Sequence, residues 1–182
     1  MPTDGKIDYP SSGKARAGNN NSFAAFGCVD RKRHPKVRCV LFHADGTSKK
    51  GHPLVRPDSP FWAVAFSGVR VEQHCRLELQ DTADDCVIDC ISDLDVTGGG
   101  FDTEITYPHA SDNPIPQNFI AWGGTSGTVT GGTMNAVADS GVFANGSSWF
   151  VTFQGVPVGN GYTLTVSDGS SGGVQSRGLN VA

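Results

Sequence analysis

The chain has 182 residues, 37% of them hydrophobic and 18% charged, and a formal net charge of −4. No apolar run approaches the roughly 20 residues of a membrane-spanning helix, and the acidic balance is unlike that of most nucleic-acid-binding proteins. The 24 glycines and 10 prolines separate short runs of β-branched and aromatic residues. This pattern indicates an all-β protein with many short strands.

The N-terminal segment Met1–Lys6 lacks the apolar core of a secretory signal. The chain is therefore either an intracellular protein or part of a longer exported one. We expect the second, at an extracellular or cell-surface location, because pairs of small sandwich domains usually belong to longer chains. A cytoplasmic location is the alternative.

Five sequence blocks occur twice in the same order, with an offset that falls from 98 to 85 residues along the chain. The blocks are Ile7–Pro10 with Ile105–Pro108, Phe23–Gly27 with Phe119–Gly123, Trp62–Val69 with Trp149–Val156, Leu77–Asp81 with Leu164–Asp168, and Asp93–Val96 with Gly178–Val181. Such collinear self-similarity predicts an internal duplication. We expect repeat 1 over 1–97, a Gly-rich linker over 98–104 and repeat 2 over 105–182. The largest drop in offset places an insertion in repeat 1 between Phe26 and Trp62.

Apolar residues alternate within the matched blocks, as where Trp62, Val64 and Phe66 flank Ala63 and Ala65. Period-two alternation predicts strands with one buried face. Each repeat has about seven such runs, which is the size of an immunoglobulin-like sandwich. We therefore predict two tandem immunoglobulin-like antiparallel β-sandwiches. The expected core of repeat 2 is Trp149, Val151, Phe153, Tyr162, Leu164 and Val166.

The run from Phe153 to Asp168, with its Gly-Val-Pro turn and Gly-Tyr-Thr-Leu-Thr-Val strand, resembles bacterial immunoglobulin-like and transthyretin-like surface repeats. The Ile-x-Tyr-Pro openings and the segment Trp122–Thr125 are also similar to such repeats. Repeat 1 shares the resemblance only through repeat 2, because Val71–Cys75 replaces the Gly-rich turn and its tyrosine. Families of this kind are mostly spacers, adhesins or accessory modules, so the resemblance implies a cell-adhesion or binding role without catalysis.

Enzyme signatures are weak. Gly169–Gly173 matches the nucleophile-elbow pattern, but it lies in a Gly/Ser loop between predicted strands, whereas that motif needs a strand followed by a helix. No Gly-rich phosphate loop followed by lysine and no His-Glu-x-x-His pattern is present. We expect neither an enzyme nor a cofactor.

All 5 cysteines lie in repeat 1, at positions Cys28, Cys39, Cys75, Cys86 and Cys90. An odd number leaves at least one unpaired. Cys75 aligns with Tyr162 and is expected in the core, with Cys39 opposing it across the sandwich. A Cys39–Cys75 bridge, a Cys28–Cys75 bridge and a small Cys86–Cys90 bridge are all open, and free buried thiols are the alternative.

We expect no metal ion, although two groups of residues have side chains that could bind one. Cys86, Cys90, His74 and Cys75 could form a zinc site, but a Cys-x3-Cys spacing alone is weak evidence. The acidic run from Asp81 to Asp95 could supply oxygen ligands to Ca²⁺, yet it has no EF-hand spacing and is better explained as a solvated turn.

A dense basic segment is the candidate binding site: Arg31, Lys32, Arg33, Lys36 and Arg38. Repeat 2 has no counterpart, so the fold itself does not need these charges. They suit electrostatic docking of an anionic polymer, whereas nucleic acid is unfavoured because interleaved aromatic residues are missing. A solvated loop is the alternative.

The sequence therefore predicts a non-catalytic tandem module that serves as a spacer, adhesion unit or accessory domain of a larger exported or surface protein. The alternative function is binding of an anionic glycan or other polyanion through the basic segment. Expected partners are other domains of a longer chain, or a surface protein or glycan.

Overall fold

The computed structural model describes residues 4–11, 13–18, 21–98, 104–125, 128–135, 137–145, 147–168 and 174–182. In repeat 1 the strands are β1 (Gly5–Tyr9), β2 (Lys14–Arg16), β3 (Phe23–Val29), β4 (Val37–Phe42), β5 (Ser48–Lys50), β6 (His52–Pro53), β7 (Phe61–Phe66), β8 (Glu72–Asp81) and β9 (Val87–Thr97). In repeat 2 they are β10 (Ile105–Tyr107), β11 (Phe119–Gly124), β12 (Val129–Met134), β13 (Val137–Ala138), β14 (Gly141–Asn145), β15 (Ser148–Phe153), β16 (Gly159–Asp168) and β17 (Val174–Val181). A short 3-10 turn covers Ala110–Asp112. Among the described residues, no helix is long and apolar enough to cross a membrane.

The two repeats have the same strand order. Repeat 1 forms the sheets β1-β3-β7-β6 and β2-β9-β8-β4-β5, and repeat 2 forms β10-β11-β15-β14 and β13-β12-β16-β17. Strand β2 runs parallel to β9, and a parallel bridge from Ile115 to Val181 takes its place in repeat 2. This is the A-B-E-D and C-F-G arrangement of immunoglobulin sandwiches with an added C′ edge strand. The predicted pair of immunoglobulin-like sandwiches is confirmed.

The strand registers confirm the predicted equivalences between the repeats. Trp62 pairs with Gly27 as Trp149 pairs with Gly123, and Leu94 pairs with Cys75 as Leu179 pairs with Tyr162. Both glycines are required by the close approach of the first strand. A Cβ at Gly27 would lie 1.9 Å from the Lys6 carbonyl oxygen, and one at Gly123 would lie 2.0 Å from that of Glu104. Only Gly98 and Glu104 of the proposed linker are described, so the domain boundaries stay a prediction.

The predicted core of repeat 2 is present. Five of its members are buried and Tyr162 is partly buried, with its hydroxyl donating a 2.9 Å hydrogen bond to the Pro157 carbonyl oxygen. A tyrosine at the start of strand F that bonds back to the upstream backbone is the tyrosine corner of immunoglobulin-like domains.

The expectation of one buried face is wrong for the A-B-E-D sheets. All six residues of β7 and all six of β15 are buried, including Ala63 and Ala65 on the face expected to be outside. The reason is that β3 packs against β11, so each of these sheets has its own sandwich on one face and the other repeat on the second face. The two repeats therefore share one continuous hydrophobic core.

Aromatic residues at this inter-repeat interface make reciprocal contacts. Tyr9 and its equivalent Tyr107 have ring centroids 4.5 Å apart. Tyr9 also contacts Trp122 at 5.0 Å, and Tyr107 contacts Phe26, the equivalent of Trp122, at 5.8 Å. Contacts of residue i with j and of j with i are the mark of a two-fold interface between like subunits, here realised within one chain.

Polar contacts close the rim of the interface. The Trp122 indole donates to the Arg16 carbonyl oxygen at 3.1 Å, and Arg16 forms an ion pair with Asp112. On the far side the Asn145 amide donates to Ser67 Oγ at 3.0 Å. The repeats are thus tied together at both ends of the shared face.

We predict that Phe153→Ala lowers the free energy of unfolding by about 3–5 kcal/mol, the range for deletion of a large aromatic core side chain. Phe153 is fully buried and stacks on Phe119 at 5.0 Å. Val158→Ala is the matched control, since Val158 is 65% exposed. Denaturant melts measure both, and a loss below about 1 kcal/mol for Phe153→Ala would contradict its place in the core.

We also predict that Ala24→Asp costs about 3–5 kcal/mol, because it buries a carboxylate without a partner between the two repeats. Ala24 is fully buried and pairs with Ala65 on the face toward repeat 2. Val71→Asp, at a position 53% exposed, controls for the added charge. Equal small losses for the two variants would show that the interface is not part of the folded core.

Candidate functional site

A cleft of about 290 Å³ opens on one side of repeat 1, between the start of β4 and the strands β6 and β7. Its deep part contains Trp62, Val64 and Cys39, which are all buried. The lining also includes four cationic residues, which are Arg31, Lys36, Arg38 and Arg56. Val55, Pro53 and Pro57 complete an apolar wall, so the cleft combines an apolar floor with positive charge at its mouth.

The insertion predicted in repeat 1 builds this cleft. The interval from Phe26 to Cys39 is 3 residues longer than the equivalent interval from Trp122 to Gly132. The interval from Cys39 to Trp62 is 6 residues longer than that from Gly132 to Trp149. Both longer segments contribute to the lining, so the added residues surround a single site.

Arg31 holds the two segments together. Its Nε donates to the Ser59 carbonyl oxygen at 2.6 Å, and its Nη1 lies 3.5 Å from the Pro35 carbonyl oxygen. The side chain is half-buried, and this burial lowers the pKa of the guanidinium from its ordinary value. One end of the cleft therefore has a cation in a defined position.

Arg38 is held from the other side, by the β8–β9 hairpin. Its Nε donates to Gln80 at 2.8 Å and its Nη2 lies 2.5 Å from Asp85. Nearby, His34 Nδ1 is 2.6 Å from an Asp81 oxygen. A hydrogen bond from the Ala83 amide and a second from His34 hold the pKa of Asp81 below its usual range.

Only some of the five basic residues predicted as the binding site lie at the cleft. Arg31, Lys36 and Arg38 line the cleft, whereas Lys32 and Arg33 are not among the lining residues. Both of these side chains are exposed, and Arg33 forms ion pairs with Asp4 at 2.5 Å and Asp30 at 4.0 Å. Arg56 joins the site although the sequence analysis did not select it, because it lies 18 residues beyond Arg38 in an otherwise unremarkable loop.

The acidic run does not gather into one set of oxygen ligands. Asp81, Asp85 and Asp93 each pair with a different cationic or histidine side chain along the β8–β9 hairpin, with Asp93 lying 2.9 Å from His74. The acidic residues thus form a polar edge along the β8–β9 hairpin. The Gly169–Gly173 motif lies outside the described residues.

The three disulfides left open by the sequence are not formed in the structure, where all five cysteines are free. Cys39 does not oppose Cys75 across the sandwich, because β4 and β8 are neighbours in one sheet and Cys39 pairs with Leu79. Leu79 lies four positions along β8 from Cys75, or roughly 13 Å, whereas bridged Cα atoms lie within about 7 Å. Cys28 is exposed on the other sheet, so it cannot reach the buried Cys75 either.

The Cys86–Cys90 bridge and the zinc set that included this pair are not assembled. Both thiols are exposed. Cys86 immediately precedes β9 and Cys90 lies within it, so four positions of extended chain, again roughly 13 Å, separate them. Cys75 lies instead beside His43 and Glu72, neither of which the sequence analysis selected.

No protein-family model matches the chain, and no similar protein was found among curated sequences. Among solved structures, the chain is similar to the Bacteroides ovatus mixed-linkage glucan utilization locus protein SGBP-B in complex with a heptasaccharide. Identity is 12%, coverage is 100% of this chain and 47% of that one, and the TM-score is 0.34. The titin I9–I11 tandem gives 12% identity, coverage of 93% and 63%, and a TM-score of 0.29. The fold assignment rests on this chain's own strand order.

We predict that Arg31→Ser lowers the free energy of unfolding by about 1.5–3 kcal/mol, the range for a hydrogen bond made by a charged group. The variant leaves the Ser59 carbonyl without its donor and frees the 56–60 segment. Lys32→Ser, next in sequence and exposed, should change stability by less than about 0.5 kcal/mol. Urea melts compare the two, and equal effects would mean that the Arg31 contact does not stabilise the protein.

Proposed function

We propose that this protein is a non-catalytic binding module that docks an acidic glycan in the cleft of repeat 1. The observation that carries the proposal is the cationic mouth over an apolar floor, with Arg31, Lys36, Arg38 and Arg56 around Trp62. The setting remains the one expected from the sequence, an accessory domain of a larger exported or surface protein.

The chemistry of an acidic glycan fits both parts of this site. A sugar ring has an apolar C–H face that packs on an apolar floor, and its carboxylate or sulfate groups accept paired hydrogen bonds from guanidinium groups. A fully ionic ligand without an apolar face would leave the floor uncovered. A neutral glycan would leave four cations without new partners.

Two of the cations are already positioned. Arg31 is held by backbone carbonyls, and Arg38 is held by Gln80 and Asp85. Positioning before binding reduces the conformational entropy lost on association. Lys36 and Arg56 are exposed, and Arg56 lies 3.5 Å from Asp58 in an ion pair at the surface. Substituting these two residues disturbs the fold less than substituting Arg31 or Arg38, so they are the better residues for mutational tests.

The side-by-side packing of the repeats also favours a binding role over a spacer role. A spacer gains length when domains join end to end, whereas these repeats lie side by side and bury the inner strands of their A-B-E-D sheets between them. The result is a short unit in which repeat 2 supports repeat 1. This arrangement suits the presentation of a rigid site.

We predict that Lys36→Ser combined with Arg56→Ser lowers affinity for a polyuronate at least about tenfold, since each charge-assisted contact contributes about 1.5–3 kcal/mol. Isothermal titration at two salt concentrations measures the effect, and affinity should fall steeply with salt. A neutral glucan of similar length should not bind.

Lys32→Ser is the matched control, because it removes one charge from the same segment without altering the cleft lining. It should change affinity less than about twofold, since an exposed cation outside the cleft lining makes no charge-assisted hydrogen bond to a ligand in the cleft. If Lys32→Ser, Lys36→Ser and Arg56→Ser, each tested singly, lower the affinity equally, the ligand is held by diffuse attraction rather than docked in the cleft. Absence of polyuronate binding by the wild-type protein would overturn the proposal.

A further inference from the structure

Three side chains with metal-ligand atoms meet at the far end of β4 from the cleft. His43 follows the last residue of β4, and Glu72 and Cys75 lie at the start of β8. His43 Nδ1 is 2.5 Å from Glu72 Oε1, and Cys75 Sγ lies 3.3 Å from the same oxygen. All three ligand atoms are within 4.8 Å of one another.

A β-bulge places Glu72 and Cys75 on the same side of β8. The register shifts between these two residues, and His74 between them has a φ of +62°. A non-glycine residue in the left-handed region is strained, and bulges are often found beside functional sites. In repeat 2 the equivalent bulge has Gly161, with a φ of +74° and no such strain.

Repeat 2 shows that the fold needs neither the cysteine nor the glutamate of this cluster. There Tyr162 stands in place of Cys75 and Gly159 in place of Glu72. The Tyr162 ring lies against Gly159, where an added Cβ would be 3.2 Å from Cε2, and its hydroxyl bonds to Pro157. Repeat 1 thus has a nitrogen, an oxygen and a sulfur ligand where its twin has a tyrosine corner.

We propose that His43, Glu72 and Cys75 form a binding site for a thiophilic divalent metal ion, best matched by Zn²⁺. Cysteine sulfur, histidine nitrogen and glutamate oxygen are the donors that zinc takes in proteins, whereas Ca²⁺ and Mg²⁺ take oxygen donors. Tetrahedral zinc sets its ligand atoms roughly 3.3–3.6 Å apart, so the observed cluster needs to open by about 1 Å between His43 and Glu72.

Charge and exposure also suit a bound ion. On binding, the Cys75 thiol loses its proton to solvent, and the thiolate and the Glu72 carboxylate together neutralise a divalent cation. Cys75 is fully buried, while the Glu72 side chain is 20% exposed. An ion therefore reaches the site from the Glu72 side, where water completes the coordination, whereas a larger molecule does not reach the thiol.

The test is titration of the purified, reduced full chain with Zn²⁺ and with Co²⁺. We expect one ion per chain, a thiolate-to-cobalt charge-transfer band, and a melting temperature that rises with free Zn²⁺ because only the folded state has the site. Cys75→Ser should abolish the band. His43→Gln and Glu72→Gln should each weaken Zn²⁺ binding by at least about 100-fold, more than loss of an outer-shell partner.

The Cys86→Ser and Cys90→Ser double variant is the control, because both thiols are exposed and lie outside the cluster. It should keep the band and the stoichiometry. If Cys75→Ser does not fold, the two Gln variants decide, since both alter side chains at the edge of the core. Binding that survives either Gln variant unchanged, or that is lost in the Cys86/Cys90 variant, would overturn the site.

Discussion

The face-to-face packing of the two A-B-E-D sheets is the contact on which the rest of the molecule depends. Sheets with one solvated face can tolerate polar residues there, but here both faces of β7 and β15 are buried. Small residues such as Ala24 and Ala65 let the backbones approach, and Tyr9 and Tyr107 of the edge strands β1 and β10 contact each other across the interface. The C-F-G sheets are consequently the outer layers, and the edges and ends of the sandwiches are the surfaces left for binding.

Because the two repeats share one core, the sequence of repeat 1 can change while repeat 2 keeps the core stable. Repeat 2 keeps a glycine bulge and a tyrosine corner at Tyr162. Repeat 1 has instead a strained His74, a polar cluster around Cys75 and two longer segments around a cleft. A left-handed non-glycine residue such as His74 costs stability, whereas burial of apolar surface between the repeats stabilises the core that they share.

The strands and the repeat equivalences could be predicted because they depend on local alternation and on self-similarity. The buried outer face was missed, although the run from Phe23 to Phe26 contains no polar residue, which is the mark of a strand covered on both faces. The error over Cys39 has a different cause. Whether β4 and β8 share a sheet depends on long-range pairing, which alternation within either strand does not reveal. The basic segment was found from charge density alone, while Trp62 and Arg56 join it only through the tertiary fold.

The charge distribution of the chain favours approach of an anionic ligand to the proposed cleft of repeat 1 rather than to repeat 2. Repeat 1 through Val96 has equal numbers of cationic and acidic residues, whereas the rest of the chain has one cation, Arg177, and 5 acidic residues. A polyanion is therefore repelled by repeat 2 and attracted only where cations are concentrated. Asp85 pairs with Arg38 and Asp58 pairs with Arg56, so part of the positive charge of the cleft is already balanced at these two residues. Complementary charge of this kind orients the approaching ligand and speeds its association more than it raises the affinity. The apolar floor at Trp62 then supplies the short-range contact.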